Sequence, residues 1–268
     1  MLVRAVRADI YRLLRNRGAL FWGFLFIPLV YVLMTLVPNL MMRGAAKLIG
    51  GGVDPLAQAA RSLAVAGNPF AHLFFAMGAA SILGGEYRFA TWRLVAPRLP
   101  RTSTLIAKWW VFVLFACASL TLVSAGTLVA SALSVLAFSE PIRSGLGAGA
   151  VLLTFAVSAF ELAAFASVVA SAAILTRTVM GAVMPPFIFS LAQSMLGAFL
   201  PSLSEPSALL GLPSFAGDTA RRYAIPVDGL PPVTAGAAAV SIVALVAWAA
   251  FALLVAVIAF RRQDLSRE

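Results

Sequence analysis

Charged residues are scarce in this sequence of 268 residues, at 11%, whereas 62% of the residues are apolar. An ordinary soluble domain carries roughly 25% charged residues. So few charges could not cover the surface of a soluble protein of this length, and the excess of apolar side chains therefore indicates a lipid environment. The net charge is +10. Because the basic residues lie between long apolar runs, this charge indicates orientation in a membrane rather than binding to nucleic acid.

Residues and motifs that carry catalytic chemistry are also few. A single cysteine, Cys117, excludes an intrachain disulfide, and the only histidine, His72, cannot assemble a histidine-based metal site by itself. We interpret His72 as an interfacial or core histidine. The sequence has no G-x-x-x-x-G-K-[ST] phosphate loop, no H-E-x-x-H pair and no G-x-S-x-G elbow. We therefore expect a chain that is not an enzyme, does not hydrolyse ATP itself and binds no cofactor or metal.

Six apolar stretches are long enough to cross a bilayer, since about 30 Å of hydrocarbon needs about 20 helical residues. They cover approximately 19–38, 64–84, 107–136, 147–174, 179–200 and 235–260. The first stretch is longer than the roughly 7–15 residues of a signal-peptide core, so we interpret it as a retained span. The sequence predicts one all-α membrane domain over residues 1–268, with six transmembrane helices.

The distribution of Lys and Arg predicts the orientation of these helices. The connections form two alternating sets, namely the N-terminus, 85–106, 175–178 and the C-terminus, against 39–63, 137–146 and 201–234. With Lys108 at the start of the following helix, the first set holds 14 Lys and Arg, and the second set holds 6. Cytoplasmic loops carry the excess of positive charge. We therefore predict a multi-pass protein of the cell membrane whose two termini are both in the cytoplasm.

Residues 1–18 have apolar side chains at three- and four-residue spacing, which is typical of an amphipathic helix. Arg4, Arg12 and Arg15 fall on its polar side. We predict that this helix lies in the cytoplasmic membrane interface and leads into the first span. A basic leader without fixed structure is the alternative.

The segment between the second and third spans is charged and bounded by prolines. Residues Glu86 to Ala96 can form about three helical turns, and Pro97 and Pro100 then end the helix. We predict a short cytoplasmic helix, held between two spans, that transmits force from a soluble partner. The alternative is a basic loop that only sets topology.

This segment resembles the cytoplasmic loop of ABC-2 type transporter permeases. That family has a basic amphipathic N-terminal helix, six spans and a Glu…Thr…Leu-Leu…Pro-x-x-Arg…Lys pattern after the second span. The residues that match the pattern are Glu86, Thr91, Leu94, Pro97, Arg101 and Lys108. Ala90 and Val95 stand where the family has Gly and Leu, and Leu99-Pro100 interrupts the spacing from Pro97 to Arg101.

The resemblance implies the permease subunit of an ATP-driven ABC transporter, most often an exporter, that forms a homodimer or heterodimer. Each copy would dock through its short coupling helix and N-terminal helix on a separate ATP-binding subunit, which holds the ATP and Mg. The implied coupling residues are Glu86, Arg88, Thr91, Trp92, Arg93, Pro97 and Arg101. The alternatives are the transmembrane component of an importer, whose Ala-Arg-Gly-type signatures are missing here, and a membrane assembly factor or sensor that transports nothing.

Polar residues inside the spans are candidates for a transport pathway. Thr154, Ser158 and Glu161 share one face of the fourth span, and Gln193 belongs to a polar group in the fifth. A charge at the bilayer centre costs roughly 2.5–3.5 kcal/mol on insertion scales. This face either lines the pathway or the subunit interface, with Glu161 contacting a cationic substrate group or a partner helix, or it is hydrogen-bonded and holds the bundle together.

Several local signals concern turns and kinks. Asp54 before Pro55 predicts a helix start, and short external helices are expected around 207–212 and 217–223. Prolines within the first and fifth spans, Pro28 and Pro185–Pro186, predict kinks that serve either gating or packing.

Overall fold

The computed structural model describes residues 2–41, 53–88, 100–138, 141–142, 145–199, 211–227 and 229–263. Within these ranges the chain is helical, and an isolated bridge between Val53 and Ile142 is its sole extended pairing. In chain order the elements are α1 (Leu2–Arg15), α2 (Arg17–Leu20), a π turn (Phe21–Leu25), α3 (Phe26–Met41), α4 (Pro55–Ser62), a 3-10 turn (Leu63–Gly67), α5 (Pro69–Leu83), α6 (Gly85–Arg88), α7 (Arg101–Phe138), α8 (Ala148–Thr176), α9 (Val179–Phe199), α10 (Pro213–Ala224) and α11 (Ala235–Arg262).

Five helical segments of the described ranges are long and apolar enough to cross a membrane. They are Arg17–Val37, Arg101–Ala137, Ala148–Thr176, Val179–Leu196 and Ala235–Arg262. Each coincides with one of the predicted stretches, because an uninterrupted run of about 20 apolar residues has few other stable arrangements. The prediction of a helical, multi-pass membrane protein is therefore confirmed at this level.

The predicted second span, 64–84, is not one straight helix. The segment Pro55–Gly67 meets α5 at an angle of 66°. The break has a local cause, because Asn68 is extended and its Oδ1 accepts hydrogen bonds from the N–H groups of Phe70 at 2.9 Å and Ala71 at 3.4 Å. A capped Asn followed by Pro starts a new helix. With 15 residues, α5 spans about 22 Å, less than the hydrocarbon thickness.

The first span contains a π turn shortly before its proline. Pro28 has no N–H and its ring would clash with the carbonyl one turn earlier, and the preceding residues form the π turn Phe21–Leu25. Gly23 in this turn crosses α5 at Gly78, and a Cβ on Gly23 would lie 2.5 Å from the Gly78 Cα. The two glycines therefore allow the helices to touch. Pro185 and Pro186, by contrast, lie within the continuous helix α9.

The core is organised around α8, which packs against α5, α7, α9, α10 and α11. The turn from α8 to α9 is tight, and Arg177 within it adopts a left-handed backbone with φ of 56°. Beside the Gly23–Gly78 crossing, the ring of Phe24 lies 6.3 Å from the ring of Phe75 and 5.7 Å from that of Phe112. These ring contacts join the π turn to α5 and α7.

The connections meet at the two ends of the bundle. At one end, called here the α1 end, α1 and α6 meet the start of α7 and the end of α11. The Tyr87 hydroxyl donates to Gln263 Oε1 at 2.7 Å, and Gln263 Nε2 donates to the Ile174 carbonyl at 2.5 Å. At the other end, called the α10 end, α4, the 3-10 turn and α10 cover the bundle.

Candidate functional site

A cluster of four charged side chains lies at the α1 end, in which Glu86 and Lys108 are buried and Arg12 is exposed on one side. Glu86 Oε1 accepts hydrogen bonds from Arg12 Nη1 and from Lys108 Nζ, each at 2.6 Å. Lys108 Nζ also donates to Asp9 Oδ1 at 3.1 Å and to the Ile82 carbonyl at 3.0 Å. Glu86 is 2% exposed and Lys108 is 1% exposed. The cluster therefore joins α1, α6 and α7, which are far apart in sequence.

The local sequence explains why these groups can meet. Gly84 ends α5, and a Cβ on the next residue, Gly85, would lie 2.8 Å from the Arg12 guanidinium. Glycine at this position therefore lets Arg12 approach Glu86. Lys108 reaches a carbonyl, that of Ile82, in the last turn of α5, where helix carbonyls lack partners and a cation is favoured.

The cluster is balanced, with two acids and two bases, so each buried charge has an opposite charge beside it. Removing one partner of a buried pair typically costs about 3–5 kcal/mol, because the remaining charge is left uncompensated. Burial raises the pKa of the Asp9 carboxyl above its ordinary value, although the ammonium of Lys108 opposes the shift. Glu86 Oε2 is buried and has no hydrogen-bond partner among the described residues.

Arg101 joins the same end to the last span. Its Nη1 donates to the carbonyl of Gln263 at 2.7 Å, and to the carbonyls of Phe260 and Arg261 at 3.3 Å. A guanidinium at the C-terminus of α11 satisfies carbonyls that the helix itself cannot pair. The first turn of α7 is thereby tied to the end of α11.

The predicted coupling residues divide into three groups. Glu86 and Arg101 make contacts inside the chain, with Arg12 and with the carbonyl of Gln263. Arg88 is the last residue of α6. The remaining four coupling residues lie outside the described residues, as does most of the predicted helix 86–96. They are Thr91, Trp92, Arg93 and Pro97.

The predicted polar side of α1 is divided in the same way. All three arginines are exposed, but Arg12 also reaches the charge cluster, whereas Arg4 and Arg15 do not contact it. The Arg15 guanidinium lies 5.8 Å from the ring centroid of Tyr11. The sequence analysis missed Asp9, although a signal existed: an acid that shares the apolar face of a basic helix needs a buried cationic partner.

A second buried charge pair lies at the α10 end. Arg221 Nη1 of α10 donates to Glu161 Oε2 of α8, and the two residues are 6% and 1% exposed. A Cβ on Gly217 would lie 2.6 Å from the Glu161 carboxyl carbon, and one on Gly67 would lie 2.7 Å from Arg221 Nη2. The pair therefore fits between α8, α10 and the 3-10 turn because two glycines leave room for it.

The other polar residues of this face also bond within the chain. Ser158 Oγ donates to the Leu63 carbonyl at 2.9 Å, and Thr154 Oγ1 donates to the Ala150 carbonyl at 2.8 Å. Gln193 Oε1 accepts from the Ser214 N–H at 3.1 Å, near the start of α10. These contacts favour the interpretation in which the polar face, with Glu161, holds the bundle together.

His72 is a core histidine. It is 3% exposed, its Nδ1 lies 2.5 Å from Ser190 Oγ, and its ring stacks on Phe165 with centroids 4.1 Å apart. No group of three His, Cys, Asp or Glu side chains within the described ranges could hold a metal ion.

The carboxylate of Asp54 joins the start of α4 to the segment before α8 at the α10 end. Asp54 is the predicted N-cap of α4, and its Oδ1 accepts from the Ala57 N–H at 3.0 Å. Its Oδ2 accepts from the N–H groups of Gly145 at 2.8 Å and Leu146 at 3.2 Å. Burial raises the pKa of Asp54, but these backbone hydrogen bonds together outweigh burial and hold the pKa below its ordinary value of 3.8.

Cavities accompany both charged sites. One of about 770 Å³ lies between α1, α5 and α9 at the α1 end, and its lining includes Asp9, Arg12 and Arg15. Two smaller ones, of about 430 and 350 Å³, are lined in part by Arg221 and Asp218 at the α10 end.

No model of a known protein family matches this chain, and no curated protein matches it. The resemblance to ABC-2 permeases therefore depends on the motif residues and on the arrangement of the apolar stretches.

Proposed function

We propose that this chain is the membrane-spanning permease subunit of an ATP-driven exporter, coupled to a separate ATP-binding subunit. In this proposal the bent pair of helices counts as one of six crossings, both termini are cytoplasmic, and α1 lies in the membrane interface. Two such subunits, identical or homologous, would enclose the pathway. The observation that carries the proposal is the charge cluster, because it clasps the elements on both sides of the predicted coupling segment.

The cluster supports a lever at the α1 end. Residues 89–99 connect α6 to α7, and Glu86 and Arg101 stand close to the two ends of this connection. A force applied to the connection would reach α1 through Arg12 and Asp9, and would reach α11 through Arg101. Buried, charge-paired contacts transmit such a force better than exposed ones, because breaking them leaves uncompensated charges.

The arginine content of this end supports its cytoplasmic placement. Arginines such as Arg15, Arg17 and Arg262 lie on elements of the α1 end. In a bilayer, the side with the excess of Lys and Arg in short connections is the cytoplasmic side.

The direct test is purification of the chain from the membranes of its own organism into nanodiscs, followed by identification of its partners and an ATP hydrolysis assay. We expect a subunit with a phosphate-binding loop to co-purify, and its ATP hydrolysis to depend on this chain. Lys108→Met and Arg101→Ala should each reduce that dependence while the complex stays assembled. Arg61→Ala, an exposed charge on α4 at the other end, is the matched control. A complex without any ATP-binding subunit would contradict the proposal.

Orientation is tested separately, by labelling engineered cysteines in a Cys117→Ser background. Arg17→Cys should react with a membrane-impermeant maleimide only when the cytoplasmic side is accessible, and Arg61→Cys only from outside. The reverse pattern would place the α1 end outside the cell and exclude docking on a cytoplasmic ATPase.

A further inference from the structure

The cavity at the α1 end has two chemically different parts. Its apolar wall comes from the spans α5 and α9 and includes Met77, Val183 and Met184. Its rim comes from α1 and includes Arg12 and Arg15. The volume of about 770 Å³ falls within the roughly 300–1,000 Å³ of sites that hold a drug-sized ligand. The cavity is therefore large enough for an amphipathic molecule with one charged end.

The apolar wall is suited to a hydrocarbon chain. Met77 is 40% exposed and Met184 is 43% exposed in this chain, although Met184 belongs to a helix, and Met77 to a bent pair of helices, apolar enough to cross a membrane. Methionine side chains are flexible and polarizable, and they adapt to the shape of an apolar ligand. Water in such a groove would find few hydrogen-bond partners, whereas an acyl chain from the surrounding bilayer would lose nothing by entering.

The rim carries a surplus of positive charge. Asp9 and Arg12 are engaged in the charge cluster, whose two acids and two bases compensate one another. Arg15 lines the same rim, is exposed, and contacts the ring of Tyr11 rather than a carboxylate. A guanidinium can bind the phosphate of an anionic lipid headgroup with two parallel hydrogen bonds.

We propose that this groove holds a resident phospholipid with an anionic headgroup. The phosphate is held at Arg15, on the rim of the groove, and one acyl chain lies along Met77 and Met184. Such a lipid fills the space between α1 and the bundle beside the charge cluster, and so supports the position of α1. The inference depends on the chain lying in a membrane and does not depend on the proposed ATP-binding partner.

The test measures lipid retained by the purified chain after reconstitution with equal amounts of phosphatidylglycerol and phosphatidylcholine. We expect phosphatidylglycerol to be enriched, and Arg15→Ala to reduce its retention roughly fivefold, the factor for one arginine at a lipid surface. Arg4→Ala is the matched control, because Arg4 is exposed on the same helix but does not line the groove. Met184→Trp, which fills the apolar wall, should reduce retention of both lipids.

Several outcomes would overturn the proposal. Equal losses from Arg15→Ala and Arg4→Ala would indicate general attraction of a basic helix to the bilayer. Unchanged retention in Met184→Trp would place the lipid elsewhere. A disulfide between two copies of Met184→Cys, in the Cys117→Ser background and without bound lipid, would show that a second copy covers the groove. Circular dichroism and gel filtration of each variant establish that the losses do not come from unfolding.

Discussion

The two ends of the bundle bury charge in different ways. At the α1 end, Glu86 contacts both Arg12 and Lys108, and Lys108 contacts Asp9 in addition. At the α10 end, Glu161 is paired with Arg221, and Arg221 Nε and Glu161 Oε1 have no hydrogen-bond partner among the described residues. In the first arrangement the two buried charges, Glu86 and Lys108, each have two partners, whereas the second concentrates the charge in one contact.

The two ends should respond differently to the loss of a charge contact. A cluster can lose one contact and keep its charges partly compensated, so the α1 end tolerates movement of α1 or α6 relative to α7. A single pair has no such reserve, because a buried charge without a partner is strongly unfavourable. The α10 end should therefore be the more rigid of the two, and the α1 end the better place for a moving lever.

The largest expected effect is the loss of the single pair. Arg221→Met leaves Glu161 buried with no cation beside it, which should destabilise the chain by about 3–5 kcal/mol. The measurement is thermal unfolding in detergent, with Arg222→Met, the neighbouring and half-buried arginine of α10, as the control. The double variant Arg221→Met with Glu161→Leu should recover most of the loss, since apolar replacements of a buried pair are often neutral.

An equal loss in Arg221→Met and Arg222→Met would contradict this account of the α10 end. A different outcome would restore the pathway interpretation of Glu161. If Glu161→Gln left stability intact but abolished transport, the carboxylate would serve the cargo instead of the bundle.

A smaller effect is expected at the α1 end. Lys108→Met leaves Glu86 in contact with Arg12, so the loss should be about 1.5–3 kcal/mol, the range for hydrogen bonds to charged groups. Hydrogen exchange of the α1 amides should accelerate because Asp9 loses its partner. Arg4→Ala, outside the cluster, should leave both quantities unchanged. A loss of unfolding free energy as large as that of Arg221→Met would show that the remaining contacts of the cluster do not compensate its charges. The two ends would then not differ in this respect.

The difference between the ends also shows what could be predicted from the sequence. Long apolar runs identify membrane spans one at a time, because their signal is local and needs no knowledge of neighbours. The bend at Asn68–Pro69 also has a local sequence signal, because it repeats the pattern of an N-cap residue followed by proline that predicts the helix start at Asp54–Pro55. It was missed because the apolar run continues through it, and hydropathy does not distinguish a bent pair of helices from a straight one.

The charge contacts could be predicted only in part. Glu161 could be singled out as a costly charge inside a span, but its partner Arg221 is 60 residues away and lies in a connection between two apolar stretches, with another arginine next to it. Nothing local distinguishes Arg221 from Arg222. Likewise, the motif includes Glu86 and Lys108, yet their direct contact and the contacts of both with α1 require the packing of three elements.

The smallest expected effect concerns Asp54, which clasps two connections at the α10 end. Asp54→Ala removes the N-cap of α4 and the acceptor for Gly145 and Leu146, and should cost about 1 kcal/mol. Asp54→Asn keeps the cap, since Asn is an equally good N-cap residue, and should lose less. Because the pKa of Asp54 is lowered in the folded chain, its contribution is complete above the ordinary value of 3.8 and is lost as the pH falls below it. Hydrogen exchange of the 55–62 amides, compared between pH 5 and pH 3, measures this loss; a difference that persists unchanged in Asp54→Ala would show that another group is responsible.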